Sequence, residues 1–177
     1  MEIAMTDLER KENLTRAAAG DAAAFGALYA ELADDLYRFA LWSLKNREDA
    51  EDAVQEACLA AWKGLKTLKK PEAFKSWFMK IVSNRCRDIL RQRGAMRLVE
   101  LETAEEIVPV YENFPETDEN DLLKGLTPDD RNIVLLSVYG GMTSGEIGRE
   151  VGLKAATVRS RLSRAFKKVR ETLEEDT

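Results

Sequence analysis

"TSGEIGREVGLKAATVRSRLSRAFKKVR", Thr143 to Arg170, decides how the chain is read. Thr143 and Glu146 have the spacing of a capping box, in which a Thr hydroxyl and a Glu carboxylate each accept an orphan N–H at a helix start. Gly152 ends a first short helix, and Gly148 is small where that helix must approach the next one closely. A second helix follows, with Val158, Leu162, Ala165, Phe166 and Val169 recurring on one packing face. Two short helices across a glycine turn, the second one basic, describe a helix-turn-helix. Lys154, Arg159, Ser160, Ser163, Arg164 and Lys167 are then available to a major groove. A plain C-terminal helical hairpin with a solvated basic face is the competing reading.

This positive stretch belongs to an acidic chain: 27 Lys and Arg against 32 Asp and Glu in 177 residues, net −5. Residues 154–170 hold seven Lys or Arg and no acid. Residues 72–97 hold seven against two acids, and residues 98–121 between them hold nine acids and no base. Two basic blocks divided by an acidic one are an electrostatic footprint of nucleic-acid binding. A solvated helix face normally mixes its signs.

Several function classes are disfavoured. The chain has no histidine, which removes His-based triads and HExxH zinc sites. No glycine-rich phosphate loop occurs, and no carboxylate stands out from dipole, linker or surface duty. No catalytic residue, metal ligand, cofactor or small-molecule substrate is expected. The N-terminal stretch is charged throughout, and no run approaches the roughly 18–20 apolar residues of a membrane helix. Cys58 and Cys86 lack CxxC spacing and read as buried thiols, which suits a cytoplasmic protein.

The remaining periodicity is helical, and the expected fold class is all-α. Asp21 caps a helix whose face runs through Phe25, Leu28, Tyr29, Leu32, Leu36, Phe39 and Ala40. A second helix opens with Glu48, Asp49, Glu51 and Asp52, where the macrodipole favours acids. Its apolar face is Ala50, Val54, Ala57, Cys58, Ala61 and Leu65. The loop "KTLKKP", residues 66–71, breaks it, and Pro71 opens a third helix that ends at Gly94. Trp77 and Phe78 fall on the packing face of that helix, and Lys75, Lys80, Arg85, Arg87, Arg91 and Arg93 fall between the apolar positions. Thr127, Pro128, Asp129 and Asp130 start a further helix that Gly140 and Gly141 stop. The organisation is therefore two small helical domains, 1–94 and 122–177, joined by a flexible acidic linker, 95–121.

At this point the residues carry a family resemblance. "REDAEDAVQEACLAAWKGL" (47–65) and "FKSWFMKIVSNRCRDILRQR" (74–93) resemble the second region of bacterial RNA polymerase sigma factors of the extracytoplasmic-function type. "LTPDDRNIVLLSVYGGMTSGEIGREVGLKAATVRSRLSRAFKKVRETL" (126–173) resembles their fourth region. The resemblance implies promoter recognition as a subunit of core RNA polymerase, with an anti-sigma factor as a further partner. It assigns polymerase docking to Asp49, Glu51, Asp52, Gln55 and Glu56, although on sequence alone the acidic first turn reads as dipole compensation. It assigns the single-stranded minus-ten element to Lys69, Lys70, Asn84, Arg87, Asp88 and Arg91, with the 66–71 loop closing on an extruded base. Asn84 is expected near the packed seam, where it either reads that base or merely holds the loop. The helix-turn-helix residues are assigned to the minus-thirty-five element, and the linker to the polymerase interior.

Two other classes fit part of the pattern. A stand-alone helix-turn-helix transcriptional regulator leaves the basic stretch Arg85 to Arg93 unexplained. A module that binds polymerase without DNA has no need of Arg159 and Arg164 on an exposed helix face.

Overall fold

Side-chain caps start most of the helices in a computed structural model of the chain, which describes residues 5–103, 122–123 and 125–175. Helix α1, Asp7–Ala18, begins at Thr6, whose hydroxyl accepts from the N–H of Glu9 while the Glu9 carboxylate accepts from the N–H of Thr6 at 2.8 Å. The periodicity argument does not reach this helix, because only Leu14 and Ala17 on it are buried. Its signal is the T-x-x-E cap alone. Arg10 fastens α1 to the next helix through a 2.6 Å pair with Glu31.

Helix α2, Ala22–Leu44, is capped by Asp21 as the sequence indicates, and Lys45 ends it in the left-handed region. Helix α3, Arg47–Gly64, is capped by Asn46, whose side chain accepts from the N–H of Asp49 at 2.9 Å. The buried positions of α3 are Ala50, Ala53, Val54, Ala57 and Ala61, small enough to let α2 and α4 approach. Cys58, expected on that face, is only half-buried. Two 3₁₀ turns, Leu65–Thr67 and Pro71–Ala73, lead into α4, Phe74–Thr103. Pro71 thus belongs to the turn before the helix. Phe74, Phe78, Met79, Val82 and Cys86 of α4 are buried against α2 and α3, with Trp77 half-buried beside them. Phe78 lies edge-on to Phe74 at 5.8 Å.

Helix α4 continues nine residues past Gly94, where the sequence reading ended it. A mid-helix glycine costs about 1 kcal/mol, and the good helix formers that follow, Ala95, Met96, Leu98, Glu100 and Leu101, outweigh it. Residues 95–103, assigned to the linker, are therefore helical. The rest of that linker, 104–121, lies outside the described residues.

The second unit comprises α5, Pro128–Val138, α6, Ser144–Val151, and α7, Ala155–Glu175. Thr127 caps α5 and Pro128 occupies its first turn, as expected. The unit does not stand apart from the first. Ile133, Leu135, Leu136, Met142, Ile147 and Val158 join the same apolar cluster as Leu36, Phe39 and Val82. Arg87 of α4 reaches Glu150 of α6 at 3.5 Å across this seam. A cavity of about 280 Å³, lined by Ser43, Ser83, Cys86, Asn132 and Leu135 among others, leaves the seam incompletely filled. Burial pushes the Cys86 thiol up to about 12, so it acts there as an apolar filler.

Gly148 carries a close approach between α6 and the turn that follows it: a Cβ there would meet the Leu153 carbonyl oxygen at 2.5 Å. Alanine is the better helix former by about 1 kcal/mol, yet overpacking a rigid backbone contact costs about 1–3 kcal/mol. Gly148→Ala is expected to lower the thermal midpoint despite its gain in helix propensity. An unchanged or raised midpoint in a calorimetric scan would show that the turn can give.

Candidate nucleic-acid interface

The α6–turn–α7 unit is built as its sequence spells it. Thr143 and Glu146 form the reciprocal cap, with the Glu146 carboxylate accepting from the N–H of Thr143 at 2.8 Å. That backbone hydrogen bond is the main reason Glu146 is held below the usual carboxylate range. Gly152 has φ 73°, a left-handed conformation that glycine adopts without a Cβ penalty, and it turns the chain into α7. Val158 and Ala165 face inward, and Leu162 and Val169 are half-buried. Phe166, expected in this packing face, is 40% exposed. One residue on from Ala165, it is rotated about 100° around the helix and falls outside the buried stripe.

Lys154, Arg159, Ser160, Ser163, Arg164 and Lys167 are all exposed. They do not all carry free charge, since Lys167 lies 3.7 Å from Glu171 one turn along. Arg161, not among the assigned residues, is more deeply committed. Its Nε stands 3.4 Å from Asp130 of α5, so it secures α7 to the unit. Lys168 donates to the carbonyl of Gly125 at 3.4 Å. Lys154, Arg159 and Arg164 have no acidic partner among the described residues. A groove of phosphates would meet that remaining charge first.

The second basic surface lies on α4. Asn84 is exposed rather than seated at the seam, and its Oδ1 accepts from Arg87 at 3.3 Å. Asp88 stands between Arg85 at 3.9 Å and Arg91 at 3.8 Å. Lys69 and Lys70 are exposed between the two 3₁₀ turns. The ten residues from Phe74 to Asn84 span about 15 Å of helix, and the loop packs beside α1. Sequence spacing could not show this, because α1 was not recognised.

On α3, Glu51, Asp52, Gln55 and Glu56 are exposed. Asp49 differs: it is ion-paired with Arg93 of α4, which also donates to the carbonyl of Leu44 at 3.1 Å. Its carboxylate therefore holds the start of α3 to the far part of α4. Leu59, 57% exposed, continues the stripe of Asp52, Gln55 and Glu56 at helical spacing. An apolar residue on the acidic side was the available signal for it, and the sequence reading passed over it. Among the described residues no acidic, Cys or His cluster could hold a metal, and no helix is long and apolar enough to cross a membrane.

Comparison with known proteins agrees with this layout. The family model described as Sigma-70 region 2 matches residues 28–96, and that described as Sigma-70, region 4, matches residues 120–169. The chain is 34% identical over 137 residues to the RNA polymerase sigma factor SigV of Bacillus subtilis, covering 77% of this chain and 82% of SigV. It is 32% identical over 168 residues to the ECF RNA polymerase sigma factor SigE of Mycolicibacterium smegmatis, covering 88% and 65%. Among solved structures, CnrH in complex with the cytosolic domain of CnrY superposes with a TM-score of 0.67 at 27% identity, covering 96% of this chain and 99% of CnrH. With both regions matched in order and an all-helical fold that carries each, the chain belongs to the extracytoplasmic-function group of the sigma-70 family.

Proposed function

We propose that this chain binds core RNA polymerase and directs it to specific promoters, acting in the cytoplasm and contributing no catalytic step of its own. The observation that carries the reading is the pairing of two separate basic surfaces, on α4 and α7, within a chain of net charge −5. A stand-alone regulator would use the α7 surface and has no task for the α4 one. Run-off transcription tests the reading directly: core polymerase supplemented with this chain should initiate at a promoter that neither component uses alone. Tight specific promoter binding by the chain without core would favour the regulator instead.

In this reading α7 enters the major groove at the minus-thirty-five element. Arg159 and Arg164, with Ser160 and Ser163 between them, form the stripe closest to the base edges, and Lys154 and Lys167 hold phosphates. Arginine's planar fork suits bidentate contact with guanine, whereas lysine supplies sequence-independent attraction. On α4, Asn84, Arg87, Asp88 and Arg91 line the path of the minus-ten strand, and Lys69 and Lys70 grip it near the 66–71 loop. Arg87 must exchange Glu150 for the strand. The pair is half-buried but long at 3.5 Å, a contact that a phosphate can replace.

The docking surface on α3 is Glu51, Asp52, Gln55 and Glu56 around Leu59. Asp49 supports it from behind by fixing α3 against Arg93. An anti-sigma protein that covers this face would compete with core polymerase. CnrH, a structural relative, was solved in complex with the cytosolic domain of CnrY.

Replacing Arg159 or Arg164 by Ala is expected to cost about 1–3 kcal/mol of upstream-element binding by the holoenzyme and to relax preference at one base pair. A loss uniform across sequences, with only a shallower salt dependence, would reassign them to phosphates. Leu59→Asp and Asp49→Ala should separate docking from architecture. The first is expected to weaken core association about tenfold or more with an unchanged melting temperature, since an exposed leucine contributes little to the folded monomer. The second should lower the melting temperature. Equal effects of both on melting would remove Leu59 from the docking face.

A further inference from the structure

The cavity at the seam is lined from three helices: Ser43 in the last turn of α2, Ser83, Cys86 and Leu90 on α4, and Asn132 and Leu135 on α5. Positions 83, 86 and 90 share one stripe of α4, and 132 and 135 share one of α5, so each helix turns a continuous face to it. We propose that this cavity binds a small neutral cyclic amide, gripped by Asn132 with Ser43 and Ser83, and that the occupant holds the two helical units closed. The binding stands on the cavity by itself. Its consequence for transcription rests on the promoter-directing role proposed above.

Unmet hydrogen bonding is the first sign of an occupant. The Ser43 Oγ is enclosed and has no hydrogen-bond partner among the described residues. Ser83 is 3% exposed, and neither its hydroxyl nor the Asn132 amide has a partner among those residues. Enclosed polar groups are costly to leave unpaired, and in folded proteins most of them find a partner. Here three converge on one space, two from the first unit and one from the second. A primary carboxamide carries a donor and an acceptor side by side in one plane. Its complement is a ring that presents an N–H beside a C=O, and either serine hydroxyl can donate to the second lone pair of that carbonyl.

Size and charge narrow the class. A dry cavity of about 150 Å³ takes benzene, so one of about 280 Å³ has room for a fused or substituted ring. Leu90 and Leu135 offer the ring aliphatic surface, and Cys86 adds a thiol that burial keeps uncharged. Formal charge around the mouth cancels. Arg87 stands beside Glu150 at 3.5 Å, and Arg131, which donates to the carbonyl of Leu123 at 3.2 Å, lines the cavity with Asp129. With two cations against two acids, an ion of either sign gains little there to offset its lost hydration. Leu90, Pro128 and Asp129 are exposed, so a ligand can enter on that side.

An occupant that touches α2, α4 and α5 together favours the state in which they are together. The minus-ten and minus-thirty-five elements lie about 25 base pairs apart, about 85 Å of duplex at roughly 3.4 Å per pair. A chain of 177 residues packed as one body has a radius of gyration of about 16 Å. It is too small to span both elements, so the seam must open before α4 and α7 can reach them. A ring bound in the seam opposes that opening.

The probe is 2-quinolone, a neutral cyclic amide on a fused ring, with N-methyl-2-quinolone as the analogue that lacks the N–H. Binding to the full chain is read by calorimetric titration and by the shift in melting temperature. 2-Quinolone should bind one to one and raise the melting temperature, because it binds the folded chain alone. N-methylation should weaken it about tenfold, the scale of one paired hydrogen-bonding edge. Asn132→Leu keeps the approximate volume and removes the amide, so it should bind the two probes equally. Ser83→Ala should weaken both alike. Run-off transcription with core polymerase reads the closing role: 2-quinolone that saturates the parent should suppress its initiation, and Asn132→Leu should be insensitive to the same concentration. A parent that binds neither probe, or both equally, has water alone in the cavity, and the site falls. Binding that leaves initiation unchanged overturns the closing role. A parent that never initiates sinks the promoter-directing reading, and the titration still decides the site.

Discussion

Helix α4 has to be two things at once, and most of the molecule is arranged around that constraint. One face, Phe74, Phe78, Met79, Val82 and Cys86, is buried against α2 and α3. The other face carries Asn84, Arg87, Asp88 and Arg91. A helix can meet both demands because residues three and four apart share a face while their immediate neighbours point away. Loss of the buried face would expose roughly 1.5–3 kcal/mol of side-chain transfer free energy per large residue. No arrangement of the basic face could offset that. The apolar contacts therefore fix the rotation of α4, and the polar face is presented as a consequence.

Charge pairing within the protein then selects which basic residues remain for nucleic acid. Arg93 is tied to Asp49, Arg161 to Asp130 and Lys75 to Asp35, each joining two helices. These residues are indistinguishable in sequence from the arginines and lysines beside them. What separates them is whether an acid from another helix arrives within about 4 Å, which depends on packing. Arg87 occupies an intermediate position. Its partner Glu150 belongs to the second helical unit, so its availability depends on how the two units meet at the seam.

The seam itself joins two units that the sequence reads as separate. Apolar residues of α5 and α6 complete a cluster begun by α2 and α4, and a cavity remains between Ser43 and Asn132. Helix α5 in sequence shows a capped start and apolar residues on most sides. Its buried residues Ile133, Val134, Leu135 and Leu136 are consecutive, so they cover its whole circumference. Such a helix is packed from more than one direction. That pattern was the available sign that α5 serves both units.

Local rules were enough to settle several features from the sequence alone. The caps at Asp21, Thr127 and Thr143 and the turn at Gly152 depend on residues within four positions of one another, and a short motif contains all the physics they need. The five α7 residues assigned to a groove, Arg159, Ser160, Ser163, Arg164 and Lys167, are exposed for the same reason, since helical periodicity fixes their angle once the buried stripe is known. Tertiary structure decided the rest. It placed the 66–71 loop beside α1, paired Asp49 with Arg93 and closed the seam between the units. Each of these is set by elements far apart in the chain, where the energy of a contact depends on which surfaces remain unburied after the local structure has formed.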